Sequence, residues 1–352
     1  MSARLTVSPD WLVEAVGSVL AAAGLRPRAA TAVARGLVEA DLRGTPSDGV
    51  MLVPMYAERL RKGSVGTHES AEVVHDMGAI AVLDAGHALG RLTGDQAMDL
   101  AVLKARTYGI GVVTVCHAFH FGGAYRYART AAYAGCIGIA AANSSPLVPG
   151  PGGTAAVLGE NPLAVAVPTE NGEPILLSSA LSEAALGEVR LAARQGGPIP
   201  RTRAGDRAGT PSADPVEALA GLLLPAAGHM GYGLALVVDI LTGVLSGGSF
   251  GSGVRDLNAD TSEPVDCAHF FLALSVSAFG NRAAFEQRVA ELAAQITGPP
   301  KASGTERPVL PGQLEAERKT AARRAGVPLD AKVLAALRET ATTVGITLGA
   351  PS

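Results

Sequence analysis

The amino-acid sequence predicts an α/β protein, with a central domain built on a mixed sheet and a helical domain assembled from both ends of the chain. Strand and helix patterns alternate through the middle of the sequence, which is typical of α/β folds. Patterns with helical periodicity stand at both ends. We therefore expect residues 1–72 with 308–352 to form the helical domain and residues 73–307 to form the central α/β domain.

Capping residues mark the first two helices. Ser8-Pro9-Asp10 combines an N-cap serine, a proline at the first helical position and an acid in the first turn, and it predicts a helix to about residue 23. A second helix is predicted over residues 27–42, ending near Gly44. Further helices are predicted at residues 94–108, 123–133, 181–194, 216–224, 231–245, 283–296, 314–324 and 330–344.

Runs of β-branched and apolar residues predict the strands. Residues 110–116, IGVVTVC, form such a run before a turn and predict a buried strand. Residues 73–83 are expected to form two short extended pieces around a turn. The helix at residues 231–245 is almost entirely apolar, so we expect it to be internal. Further strands are predicted at residues 137–142, 163–167, 174–177 and 266–278.

The composition excludes several classes of protein. With 352 residues, 48% of them hydrophobic and 17% charged, the chain is too apolar for intrinsic disorder and long enough for a large core. Its net charge of −3 provides no field for a polyphosphate, so nucleic acid is not an expected partner. The most apolar stretch, residues 230–245, is shorter than the ~20 residues of a membrane span and contains Asp239.

The N-terminal segment and the cysteines predict a cytoplasmic protein. Asp10 and Glu14 interrupt the first apolar run and no small-residue cleavage site follows, so we expect no signal peptide. Cys116, Cys136 and Cys267 are odd in number and lack Cys-x-x-Cys spacing. They predict three buried thiols in a reducing compartment, with neither a disulfide framework nor a zinc site.

Three familiar nucleotide and metal motifs are absent from the sequence. It contains no G-x-G-x-x-G between a strand and a helix, no G-x-x-x-x-G-K-[ST] and no H-E-x-x-H. Its glycines and polar residues gather instead in four segments, at residues 43–50, 117–123, 143–153 and 228–233.

Three of these segments have both a functional and a structural interpretation. His120 lies between a strand end and a helix start, where it suits proton transfer in a cleft, although a core histidine bonded to the backbone fits equally well. Nothing in the sequence singles out His117. Residues 143–153 suit a phosphate or a ribose, or an ordinary turn. The helix start at residues 228–233 suits an anion, or close helix packing.

In this order and spacing, the segments resemble the type-2 malate/L-lactate dehydrogenase family, which includes ureidoglycolate and sulfolactate dehydrogenases and piperideine-2-carboxylate reductases. The resemblance covers nearly the whole chain. It implies a non-Rossmann NAD(P)-binding α/β fold, a homodimer and reduction of 2-oxo acids or cyclic imino acids with NADPH or NADH, or the reverse. Its landmarks are RGTPSDGVMLVPMY (43–56), HFGGAYRYARTAAYAGCIGIAAANSSPLVPGPGG (120–153), GENPLAVAVP (159–168), GGPIPRTRAGDRAGTPSADP (196–215), GHMGYGLALVVDILTGVLSG (228–247), AHFFLALS (268–275) and PGQLEAER (311–318).

The resemblance assigns catalytic roles to three residues. His120 stands at the family's histidine after the strand and would protonate the new hydroxyl, with a pKa near neutrality. Ser47 is the serine of the family's Ser-His-Gly, and Asp48 replaces the histidine that follows it. Both would orient the substrate carbonyl or imine. Leu52 replaces the arginine expected to bind the substrate carboxylate, so the guanidinium that makes such recognition specific is missing.

The resemblance also assigns cofactor contacts, and several of them depart from the family pattern. Ser144 retains the family's cofactor-facing serine. Ser178 replaces an aspartate, Met230 replaces the lysine of Gly-His-Lys-Gly, and Glu188 replaces a further lysine. The predicted cofactor-binding residues are Ser144, Ser178, Ser179, Ala180, Met230, Gly231, Pro311, Gly312 and Gln313.

Three functions are compatible with these residues. The first is an NAD(P)H-dependent reductase of a small carbonyl compound or cyclic imine without the usual free carboxylate. The second is a cofactor-independent isomerisation, elimination or cyclisation on the same scaffold, with His120 and Asp48 as the acid–base pair. The third is an inactive binding subunit. We expect the reductase, with a small-molecule substrate and no bound metal, because family membership supports it.

Overall fold

A seven-stranded mixed sheet forms the centre of the protein. The computed structural model describes residues 4–170, 172–300, 302–304 and 306–351. The helices are α1 (Pro9–Ala22), α2 (Pro27–Arg43), α3 (Val53–Lys62), α4 (Gly90–Tyr108), α5 (Tyr125–Tyr133), α6 (Leu186–Gln195), α7 (Pro215–Ala220), α8 (His229–Asp239), α9 (Arg282–Thr297), α10 (Gln313–Ala325) and α11 (Ala331–Thr343). The strands are β1 (Arg4–Val7), β2 (Glu72–Met77), β3 (Ile80–Asp84), β4 (Ile110–Ala118), β5 (Cys136–Ala142), β6 (Val148–Pro149), β7 (Ala156–Leu158), β8 (Leu163–Val167), β9 (Ile175–Ser179), β10 (Ala204–Gly205), β11 (Leu222–Leu223), β12 (Cys267–Ser275) and β13 (Val327–Asp330).

The order of the strands decides where loops converge. The sheet runs β2-β3-β4-β12-β5-β8-β9, with β3 and β4 parallel and every other neighbouring pair antiparallel. Because β12 is antiparallel to both β4 and β5, those two strands run in the same direction. Strand β9 also runs in that direction, since β8 is antiparallel to both β5 and β9. The carboxyl ends of β4, β5 and β9 therefore lie along one edge of the sheet.

Two glycines let helices approach the sheet closely. A Cβ on Gly111 of β4 would overlap the carbonyl of Ala101 in α4, and a Cβ on Gly138 of β5 would overlap the carbonyl of Ala128 in α5. Only glycine permits contact at this distance. The two helices therefore bury their apolar faces directly against the strands that end near the cavity described below.

Both ends of the chain meet beside this sheet. Strand β1 pairs antiparallel with β13, with Val7 opposite Val327. Glu39 of α2 accepts hydrogen bonds from Arg129 of α5 at 2.6 Å and from Lys319 of α10 at 2.5 Å. Burial alone would raise the pKa of Glu39, but the two cations lower it to about 2. This carboxylate thus ties N-terminal, central and C-terminal helices together.

A third lobe, formed by residues 147–158 and 181–223, has a small core of its own. Its buried apolar side chains are Val148, Ala184, Val189, Ile199, Ala204, Ala218 and Leu223. The sequence analysis did not predict this lobe, because its strands are two or three residues long. Such pairs leave no periodic pattern. The division of the remaining chain into a helical and a central domain stays a prediction.

The α/β fold with a mixed sheet is confirmed, and most predicted elements are present. Ser8 caps α1 by accepting a hydrogen bond from the backbone N–H of Trp11, and Gly44 ends α2 in the left-handed conformation. Two helix predictions were wrong in their extent. Residues 181–185 precede α6 as irregular chain, and the segment predicted as a helix at 216–224 is α7 followed by β11.

The prediction that the apolar helix at residues 231–245 is internal was also wrong for the single chain. Helix α8 continues into a π-helical turn at Ile240–Val244, and the pair buries Val238 together with small or polar residues such as Ala235 and Thr242. Seven of its large apolar residues are more than 40% exposed, namely Met230, Leu234, Leu236, Val237, Ile240, Val244 and Leu245. A single copy of the fold offers nothing to cover the second face of a helix that is apolar all round.

A search of the described residues for a helix with the length and hydropathy to cross a membrane finds none.

Replacing Glu39 by Gln will destabilise the protein by up to about 3 kcal/mol at pH 7, since the pKa of the buried carboxylate is depressed from 4.5 to about 2. A carboxylate with a depressed pKa stabilises the fold above its unfolded pKa. The difference in free energy of unfolding between the natural protein and Glu39→Gln should therefore shrink as the pH falls from about 4.5 towards about 2. Urea unfolding at several pH values measures it. Glu14→Gln, at an exposed position of α1, is the matched control and should change little at any pH.

Candidate active site

A cavity of about 850 Å³ lies where the sheet edge, the helical segments and the third lobe meet. It is lined by residues that follow the carboxyl ends of β4, β5 and β9, by the turn after α2 and by the start of α6. The structure brings nine predicted site residues to its wall, namely Ser47, Asp48, His120, Ser144, Ser178, Ser179, Ala180, Pro311 and Gly312. The sheet topology explains this convergence, because three strands deliver their ends to one edge.

Three predicted cofactor residues lie outside this cavity in the single chain. Met230 is 58% exposed in the first turn of α8, and Gly231 is buried behind it. Gln313 begins α10, where its amide oxygen accepts a hydrogen bond from the backbone N–H of Leu310 and its amide nitrogen donates to Glu317. The roles predicted for these three residues stay predictions.

His120 occupies the cavity wall two residues beyond β4, with its Nδ1 atom 2.8 Å from the hydroxyl of Tyr56. Burial, the guanidinium of Arg91 and His269 together lower the pKa of His120 to about 3. The sequence-based expectation of a pKa near neutrality was therefore wrong for the chain without ligand. Desolvation disfavours the imidazolium, and a nearby cation disfavours it further.

Arg91 lies beside the Tyr56 hydroxyl that contacts His120. This arginine is 3% exposed, and its guanidinium hydrogen-bonds the Tyr56 hydroxyl and, at 2.7 Å, the backbone carbonyl of Asp48. A guanidinium only donates, so Arg91 favours a Tyr56 oxygen that accepts from it and a Tyr56 proton that points to His120 Nδ1. In that arrangement the neutral imidazole would carry its proton on Nε2.

Two carboxyl groups in the same cavity have raised pKa values. Burial raises the pKa of Asp48, and Arg91 opposes that shift. Burial also raises the pKa of Glu160 to about 7, although Glu160 accepts a hydrogen bond from the backbone N–H of Leu186 at 2.8 Å. Asp48 adds to the shift of Glu160 by like-charge repulsion. With a pKa of about 7, Glu160 is able to hold a proton near neutral pH.

Ser144 provides a polar atom with no protein partner. Its Oγ atom is buried and makes no hydrogen bond within the described part of the chain. A Cβ on Gly159 would overlap this hydroxyl, so glycine is needed to leave it in place. Buried polar atoms are nearly always satisfied, so an orphaned hydroxyl at a cavity wall fits a hydrogen-bonding ligand. Together with the neighbouring serines of β9, it suits the polar groups of a nicotinamide nucleotide.

The cavity is rich in charge, which the sequence analysis did not anticipate. Because Leu52, Ser178 and Met230 replace charged residues of the family, the sequence suggested a site with few charges. The structure instead lines the cavity with six cationic side chains, which are Arg43, Arg190, Arg194, Arg203, Arg255 and Lys332. These residues are dispersed through the sequence, so no local pattern marked them. The same holds for Tyr56, Arg91 and Glu160.

Comparisons with known proteins agree with this architecture. The family model described as malate/L-lactate dehydrogenase matches residues 7–338. A malate dehydrogenase from Pyrococcus abyssi is 36% identical over 348 residues, covering 97% of this chain and 95% of the relative. A ureidoglycolate dehydrogenase (NAD(+)) from Escherichia coli K12 is 33% identical over 309 residues, covering 88% of each chain.

A solved structure of malate dehydrogenase from Entamoeba histolytica superimposes on this chain with a TM-score of 0.94 at 28% identity. The match covers 99% of this chain and 100% of the other. The resemblance inferred from the seven sequence landmarks is thereby confirmed. By family model, sequence and structure, the chain belongs to the malate/L-lactate dehydrogenase family.

Proposed function

We propose that this protein is an NAD(P)H-dependent reductase of a small carbonyl compound or cyclic imine that differs from the usual 2-oxo acids. The observation that carries the proposal is the arrangement of His120, which contacts the Tyr56 hydroxyl through Nδ1 at the wall of a cavity that Ser47 and Ser144 also line. The related dehydrogenases named above act on malate and ureidoglycolate. Membership of their family supports redox chemistry here.

A nicotinamide nucleotide would be held by the polar wall of the cavity. The orphaned hydroxyl of Ser144, the serines at 178 and 179 and the backbone around Pro311-Gly312 would bind it. When bound, this cofactor supplies the hydride. The arginines that line the cavity supply positive charge for phosphates, which balances the loss of the lysine at position 230.

The substrate end of the cavity favours a neutral group over a carboxylate. Leu52 lines the cavity where relatives of this family are expected to place an arginine. Burial raises the pKa of Asp48, which favours its protonated form, and in that form it would donate a hydrogen bond to a carbonyl oxygen or imine nitrogen. A substrate carboxylate placed beside Asp48 would instead be repelled by the negative charge of that aspartate whenever it ionises. These contacts support a substrate without a free carboxylate at this point.

The chain's own residues supply the proton for such a reduction. His120 would give its Nε2 proton to the oxygen or nitrogen of the reduced substrate while accepting the Tyr56 proton at Nδ1. The negative charge would then rest on the Tyr56 oxygen; burial raises the pKa of this phenol, and the guanidinium of Arg91 offsets part of that rise. The imidazole thus remains neutral throughout, in keeping with its low pKa.

A second function is favoured by one observation, the pKa of Glu160 near 7 in the same cavity as Asp48 and His120. Carboxyl groups poised in this range suit general acid–base catalysis without a cofactor, such as an isomerisation, elimination or cyclisation. Turnover of a substrate in the absence of nicotinamide, abolished by Asp48→Asn, would support this alternative. A strict requirement for nicotinamide would refute it.

We also infer that the protein is a homodimer, held together in part by the apolar face of α8 and its π-helical continuation. Leu234, Val237, Ile240 and Val244 are exposed in the single chain. A helix that is apolar on all sides is expected to be covered on all sides, and a second copy of the same helix presents a matching surface. A cytoplasmic location remains our prediction.

His120 should stay neutral across the physiological pH range, because its pKa is lowered to about 3. In protein labelled with ¹³C-histidine, the ring resonances of His120 should not shift between about pH 5 and about pH 9. The reason is that a group with a pKa of about 3 titrates over about two pH units around that value. The resonance is assigned by its loss in His120→Gln. A titration with a midpoint between about pH 6 and about pH 7, as in a free imidazole at about 6.5, would contradict the lowered pKa of His120.

The protein should bind NADPH or NADH with an increase in nicotinamide fluorescence. Ser144→Ala should weaken that binding about two- to tenfold, the value of one neutral hydrogen bond. Ser18→Ala, at an exposed position on α1, serves as the control and should bind like the natural chain. If neither nucleotide binds at millimolar concentration, the proposed reductase activity is wrong.

Val237→Asp should convert the dimer to a monomer, since it places a charge at the centre of the apolar face of α8. Light scattering after size-exclusion chromatography gives the mass of each species. Val74→Asp is the matched control. Val74 is 51% exposed, close to the 49% of Val237, but it lies on strand β2 and not on α8. A monomeric natural chain, or a dimer that survives Val237→Asp, would show that this face does not mediate assembly.

A further inference from the structure

A second cluster of reactive side chains lies outside the cavity, where the parallel strands β3 and β4 end side by side. Asp84 ends β3 and pairs in register with Cys116 of β4, and His117 follows Cys116. His117 Nδ1 is 2.9 Å from Asp84 Oδ2. One ligand atom from each of the three residues, including the sulfur of Cys116, lies within 4.8 Å of the other two. None of the three lines the cavity.

Two further ligand-type side chains border this cluster. His87, in the loop after β3, has its ring 5.8 Å from the ring of His117. Its Nδ1 atom lies 3.9 Å from Oδ1 of Asp266, the residue before β12. Both of these atoms are buried and lack a hydrogen bond to any described residue. Unsatisfied buried polar atoms in a native fold call for a partner such as an ion.

The backbone at this cluster is held in a costly conformation. His87, His117 and Asp266 have φ values of 62°, 45° and 58°, and they are three of five non-glycine residues with positive φ in the described ranges. Each such conformation costs of order 1 kcal/mol or more and persists where surrounding contacts impose it, often at ligand sites. Three of them around one group of donors is a second, independent indication of a binding site.

We propose that Asp84, Cys116 and His117 form a Zn²⁺ site, with His87 and Asp266 completing or bordering the coordination shell. The three atoms within 4.8 Å are close to the separation of ligands around one tetrahedral ion, since bonds to zinc are about 2.0–2.3 Å long. Small rotations of the partly exposed side chains of Asp84 and His117 close the remaining gap.

The donor set selects the class of metal. One sulfur, one or two imidazoles and one or two carboxylates suit zinc or cobalt, which accept mixed sulfur, nitrogen and oxygen ligands. A thiolate is a poor ligand for magnesium and calcium, which prefer shells of oxygen alone. Sequence spacing gave no sign of this site, because its members come from residues 84 to 266 and contain no Cys-x-x-Cys pair.

Zinc at this position would act on the fold rather than on the substrate. It would clamp the ends of β3 and β4 to the loop before β12, and Cys116 and His117 lie only four and three residues before His120. The metal would thereby fix the strand end that positions the proton donor. The inference does not depend on the proposed reductase activity, since the cluster lies outside the cavity.

The test is a metal titration of the full-length protein, prepared without a histidine tag and freed of metal by a chelator. Co²⁺ should bind at one equivalent and give visible d–d bands of a tetrahedral site, together with a near-ultraviolet charge-transfer band from the thiolate. Added Zn²⁺ should abolish these bands, and excess Mg²⁺ should not. Zn²⁺ should also raise the melting temperature of the natural chain.

Variants identify the ligands. Cys116→Ser should remove the charge-transfer band, and His117→Gln or Asp84→Asn should weaken binding by at least about tenfold. Cys136→Ser is the matched control, because Cys136 is also a buried thiol but pairs with Ser275 at the opposite end of the central strands. Absence of saturable Co²⁺ and Zn²⁺ binding by the natural chain, or a charge-transfer band that persists in Cys116→Ser, would overturn the proposal. Nicotinamide binding is measured separately, so either proposal can fail alone.

Discussion

The buried guanidinium of Arg91 organises the candidate active site. It extends from α4 and bonds the carbonyl of Asp48 and the hydroxyl of Tyr56, so that one side chain connects the sheet layer to the helical segments. A buried cation is costly unless its environment satisfies it. Gly122 makes that environment possible, since any side chain at this position would overlap the guanidinium. Burial raises the pKa of Asp48 and lowers the pKa of His120, and Arg91 opposes the first shift and adds to the second.

Much of the fold could be predicted from sequence because the relevant signals are local. Caps such as Ser8-Pro9 and the β-branched run of β4 act within a few residues, and they placed the helices and strands of the main sheet. Elements without a local signal were missed, including the short strands of the third lobe. The exposure of α8 was missed for a different reason. Hydrophobicity predicts burial, but it does not say whether the covering surface belongs to the same chain.

The residues of the candidate site also fall into two groups, those with a local sequence signal and those that only the tertiary structure brings together. His120, Ser47 and Ser144 line the cavity, and each could be named from sequence because it lies in a segment that resembles the family. Tyr56 is 64 positions from His120, and only the tertiary structure brings them together. The low pKa of His120 arises from such distant neighbours and from burial, so no sequence pattern could have predicted it. The loss of familiar charges at three positions was likewise misleading, because arginines from other segments line the same cavity.

The pairing of β1 with β13 has a consequence for synthesis of the protein. Val7 is made long before its partner Val327, which lies 320 positions later in the chain. The apolar faces of α1 and α2 therefore keep an unfinished outer edge until β13 has been made. Contacts this distant in sequence slow folding and prolong the exposure of apolar surface. A truncation that removes β13 would leave the N-terminal helices without this edge.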